Sequence, residues 1–155
     1  MRFSERYAHP YIYKPADLEA GADGDSVNVG KAHLTCFKFA FGAITGDAVL
    51  KFYVGATAGA KTTAVPFSYR LSAAVQGAAT GDQFGAATAV ASTGLTLVAA
   101  TFTLKQMIVE FDAQAIADAT PWLTPELSAA ASVLLVSCTA ICEPRDAGNI
   151  PATVI

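Results

Sequence analysis

Hydrophobic and polar positions alternate most clearly between Ala32 and Val54, in the successive runs AHLTCFKFAF, GAITGD and AVLKFYV. Phe37, Phe39 and Phe41 recur at every second position, and His33 and Thr35 continue the series backwards. In the second run Leu50, Phe52 and Val54 alternate with Val49, Lys51 and Tyr53. A period of two places alternate side chains on one face of a strand. Gly42 and the Gly46-Asp47 pair are turn-forming residues between the runs. The pattern predicts an antiparallel hairpin with an aromatic face. Water cannot cover such a face, so a second sheet is expected to pack on it.

The same alternation recurs along the chain. Val27 and Val29 mark a short strand after the turn GADGD. In VPFSYRLS, Val65, Phe67, Tyr69 and Leu71 share a face, and Pro66 sets the start of that strand at an edge or bulge. Leu95, Leu97 and Ala99 open another strand, continued past a bend by Phe102 and Leu104. In QMIVEFD, Met107, Val109 and Phe111 point inward, and Asp112 is placed to cap a helical turn over AQAIAD. WLTPELS resumes extended structure around Trp122. SVLLVSCTAICEP is a long final strand with both faces largely apolar, as in a central strand or one that a partner covers. Residues 73–93 are Ala, Gly, Thr and Gln around a lone Phe84. Gly77, Gly81 and Gly85 interrupt any helix there, so the stretch reads as a long surface loop and a candidate binding element. About eight strands with almost no helix predict an all-β fold, an antiparallel β-sandwich of jelly-roll type.

The ends read differently from the middle. Residues 1–20 carry Phe3, Tyr7, Tyr11 and Tyr13 with Pro10 and Pro15, a pattern for an extended N-terminal arm with an edge strand near Tyr11 to Lys14. Such an arm either folds over its own sandwich or reaches a neighbour. Residues 21–143 form the sandwich domain, and residues 144–155 a C-terminal tail ending in Ile150, Val154 and Ile155. Apolar residues at free ends gain nothing from water, so Tyr7, Tyr11, Tyr13, Phe84, Ile150, Val154 and Ile155 are the candidate partner-binding residues.

Composition narrows the function. Charged residues make up 15% of the chain, against ~25% in ordinary soluble domains. A surface of Ala, Thr, Ser and Gly suits a protein that lies against other protein. The net charge of −3 and the lack of Lys/Arg runs argue against nucleic acid as a partner. No apolar run has membrane-spanning length, and MRFSERYAHP lacks a signal-peptide core, so synthesis in the cytoplasm is expected. Cys138 and Cys142 would lie about 13 Å apart along a strand, too far for a disulfide. A Cys36 pairing with either is open on geometry alone, but three reduced thiols are the expectation.

No nucleophile elbow, P-loop or dinucleotide fingerprint is present. His9 and His33 lack ligand-spaced partners, and Asp23, Asp25 and Asp47 lack the spacing of a calcium loop, so neither a metal nor a cofactor is expected. Glu110 and Asp112 read as a solvated strand end rather than a glycosidase pair. Tyr11, Tyr13, Tyr53 and Tyr69 could form a sugar platform, with core or interface packing the favoured use.

The order of segments carries a resemblance. YKPADLEAG is followed by HLTCFKFAFGAITGDAVLKFYVGATAGAKTTAVPFSYRL, then VEFDAQAI, then WLTPELSAAAS before the last strand. Over roughly residues 10–142 this resembles small virion structural proteins of tailed bacteriophages, of the kind encoded beside the major capsid protein. The resemblance implies a non-enzymatic decoration or cement protein on the capsid exterior. It implies as partners the major capsid protein and copies of the chain itself, with a trimer favoured. A tail or head-fibre component, or a carbohydrate-binding sandwich for host attachment, is the alternative.

Overall fold

A computed structural model describes residues 7–144. Among them are twelve strands in chain order: β1 (Tyr11–Asp17), β2 (Ala22–Asp23), β3 (Val27–Asn28), β4 (Ala32–Ile44), β5 (Ala48–Gly55), β6 (Thr63–Val65), β7 (Phe67–Leu71), β8 (Thr88–Val90), β9 (Leu95–Leu97), β10 (Gln106–Asp112), β11 (Trp122–Leu127) and β12 (Leu134–Pro144). One short helix, α1 (Ala99–Phe102), lies between β9 and β10. The strands form two antiparallel sheets packed face to face, so the predicted β-sandwich is the fold. The first sheet has the order β1-β12-β4-β10-β7-β8. The second has the order β2-β11-β5-β6, with β3 also on β11 and β9 also on β5. The strand count exceeds the eight read from the sequence, and a jelly-roll order is not shown by it.

The predicted hairpin does not form. Strand β4 pairs with β12 and β10 in the first sheet, whereas β5 pairs with β11, β6 and β9 in the second. The link 45–47 is therefore an arch that carries the chain from one sheet to the other. Its glycine serves a close approach: a Cβ on Gly46 would sit 2.5 Å from the Ser132 amide nitrogen. Thr45 fixes the arch there, its amide donating to the Val133 carbonyl at 2.9 Å and its hydroxyl to Ser132 Oγ at 2.9 Å. Gly42 is likewise no turn residue. It lies within β4 beneath Leu135, whose Cβ would be 2.8 Å from a Cβ on that glycine.

An arch turns the two apolar runs to face each other. Phe52 from the second sheet meets Phe37 at a ring-centroid distance of 5.1 Å, Phe39 at 6.4 Å, Phe67 at 5.0 Å and Phe111 at 4.9 Å. Phe37, Phe39 and Phe52 are fully buried, and Phe41, Phe67, Val109 and Phe111 join the same core. Most of these ring pairs are edge-on or tilted, the arrangement the aromatic quadrupole favours.

Two prolines punctuate the layers. Pro66 stands between β6, in the second sheet, and β7, in the first. With no N–H to give a ladder, proline suits the residue where the chain changes sheets. Pro15 lies in β1, an edge strand whose register against β12 shifts twice. The stretch expected as an N-terminal arm thus lies, in its described part, on its own sandwich: Ala8 bridges to Cys142, and the Pro10 carbonyl accepts from the Ala140 amide at 2.9 Å. Other expectations also shifted. Residues 73–93 contribute strand β8, and Ala99 and Phe102 belong to α1. Asp112 does accept from the Gln114 amide at 2.9 Å, capping a single turn at Ala113–Ala115.

Replacing Phe52 by Ala removes the ring that four others surround. The expected cost is ~3–5 kcal/mol in urea unfolding, the usual range for truncating a buried aromatic. A loss below ~1 kcal/mol would contradict this packing.

Candidate functional site

The outer faces of the two sheets differ. At the second sheet, the loop 56–62 is bonded to Ser26, Asp23 and Glu126. Lys61 Nζ lies 2.8 Å from Asp23 Oδ1, also pairs with Glu126, and stands 5.8 Å from the centre of the Tyr53 ring. Hydrogen bonds to Asp23 and then Glu126 hold its ammonium above the usual lysine range. Ser26 Oγ and Thr124 Oγ1 are 2.7 Å apart, and the Gly59 amide donates to Ser26 Oγ at 2.8 Å. These bonds tie the loop 56–62 across β11 and β5. The cluster is exposed, and its chemistry is that of a surface ion pair.

Among the described residues, no comparable loop is bonded across the middle strands on the outer face of the first sheet. Register places its residues in rows across β12, β4 and β10: Ile141, Cys36 and Glu110; then Thr139, Lys38 and Ile108; then Ser137, Ala40 and Gln106. Most of these side chains are small or apolar and only half-buried. Beyond the last row lies an open hollow of about 440 Å³, with Pro15, Gly42, Gln76, Leu104, Leu135 and Ser137 in its wall. Leu104 is 50% exposed and Leu135 39% exposed, unusual values for leucine beside a sheet.

The wall of the hollow is built by unusual backbone. Leu104 has φ 57°, in the left-handed region, which costs a β-carbon residue of order 1–2 kcal/mol. Its amide donates to the Gly42 carbonyl at 3.0 Å, and its carbonyl accepts from the Gln76 amide at 2.7 Å. Gln76 Nε2 in turn reaches the Phe41 carbonyl at 3.0 Å and that of Lys105 at 3.2 Å. These bonds hold an exposed leucine at the rim of an apolar depression. The sequence reading missed it, because Leu104 and Leu135 there were ordinary strand residues and Gln76 an anonymous loop position. The exposure of Leu104 depends on a backbone angle that no periodicity encodes.

The candidate residues scatter. Tyr11 is 60% exposed at the edge of the first sheet, opposite Thr139. Tyr7 is half-buried, and Phe84 is half-buried where its loop bridges to Ser72. Tyr13 requires a correction. It is 4% exposed, with its ring 6.5 Å from that of Phe39. Its phenolic oxygen lies 3.0 Å from the Pro125 carbonyl and 3.2 Å from that of Ala22. Tyr13 therefore pins one sheet to the other and is not available to a partner. Its neighbour-by-two, Tyr11, points away because the register of β1 shifts between them. Ile150, Val154 and Ile155 lie outside the described residues. None of the four described candidates, Tyr7, Tyr11, Tyr13 and Phe84, lines the hollow.

For other chemistry, no group of three His, Cys, Asp or Glu among the described residues could hold a metal ion. His33 is exposed at the start of β4, and Glu110 and Asp112 are exposed on β10. Cys36, Cys138 and Cys142 are free thiols. Compared with known proteins, the chain matches no family model, no curated protein and no solved structure.

Burial sets the titration of the core. It pushes the Cys36 thiol up to about 11, with Glu110 adding to the shift and Lys38 opposing it. Burial also pushes Cys142 up to about 11, raises Cys138 well above its ordinary value, and lifts the Tyr13 phenol. In the unfolded chain the thiols titrate near 9.0 and the phenol near 10.0. The folded state keeps protons that the unfolded state loses, so this stability is complete below those values and is lost as pH rises through the folded ones. Urea midpoints are expected to hold steady from neutral pH to about 9 and to fall above it, less steeply in Cys142→Ala. A midpoint that stayed level or rose toward pH 11 would contradict the burial of these groups.

Proposed function

We propose that this chain is a non-enzymatic virion structural protein: a decoration or cement protein that binds the outside of a tailed-bacteriophage head and stabilises it. The observation that carries the reading is the ordered likeness to such proteins over roughly residues 10–142, from YKPADLEAG to the strand after WLTPELSAAAS. The architecture is compatible with it. The chain is a sandwich with an aromatic core and one sheet face lined by small and short side chains. Docking such a face orders few long side chains, so little conformational entropy opposes contact. Many copies on one particle would convert weak contacts into stable attachment.

The partners in this reading are the major capsid protein and copies of the chain itself, on the capsid exterior. Tyr7, Tyr11 and Phe84 remain candidate contacts, with Ile150, Val154 and Ile155 in the tail. A tail or head-fibre component, or a host-attachment sandwich, is the alternative. Of the tyrosines weighed for a glycan platform, Tyr13 is buried, and Tyr11 lies on a strand of a different sheet from the half-buried Tyr53 and Trp122.

The test is reconstitution. Purified protein should co-sediment with expanded capsids that lack it and raise their resistance to heat and shear. Capsids that neither bind it nor change in stability would overturn the reading. Glycan-array signals abolished by Tyr11→Ala or Trp122→Ala would favour host attachment.

A further inference from the structure

We draw no further inference here: the strongest candidate, the apolar outer face of β12, β4 and β10 with the hollow beside Leu104 and Leu135 at its end, carries none, because nothing among the described residues shows what covers it.

Discussion

The structure depends on one aromatic contact across the gap between sheets. Phe52 enters from β5 and is enclosed by Phe37, Phe39, Phe67 and Phe111 of the first sheet. A chain in which many apolar residues are alanine gains little burial per residue. The buried phenylalanines, Phe37, Phe39, Phe41, Phe52, Phe67, Phe102 and Phe111, therefore carry an unusual share of the hydrophobic stabilisation, and their placement decides which segments pack together. Tyr13 adds a directional bond between the layers at one end, through the Pro125 carbonyl, where its phenol would be costly to bury without a partner.

This constraint also explains what was legible in the sequence. Alternation showed which residues face inward: Phe37, Phe39, Phe41, Phe67, Met107, Val109 and Phe111 are all buried. Alternation does not say whether two successive strands lie side by side or face to face. Both arrangements bury the same residues, so β4 and β5 read as a hairpin when they are the two walls of the core. The glycine of the link was equally ambiguous, since Gly46 is required by the nearby backbone of Ser132 and not by a hairpin turn. Pro66 was rightly a break in pairing, but only the fold shows that the chain changes sheets there. Of the candidate surface, the apolar outer positions of β12 were visible as a strand with two apolar faces. The hollow was not, because it is made by the left-handed backbone at Leu104 and by Gln76 reaching two carbonyls distant in sequence.

The two outer faces of the sandwich differ in the residues they present. The second sheet carries on its outer surface an exposed cluster of one lysine and two carboxylates, with the loop 56–62 bonded to it. The first sets Ile141, Thr139, Ser137, Cys36, Ala40 and Ile108 in register over three strands, together with Lys38, Glu110 and Gln106, and has an indentation at one end.

The core and both outer faces depend on the arch between β4 and β5, and nuclear Overhauser contacts in the folded protein test it directly. Backbone contacts should join Phe39 to Met107 and to Cys138, its partners on the two flanking strands, while Phe37 and Phe52 touch only through their rings. Backbone contacts linking Phe39 or Phe41 to Leu50 or Phe52 would show a hairpin, and would contradict the two-sheet placement on which the core and both faces depend.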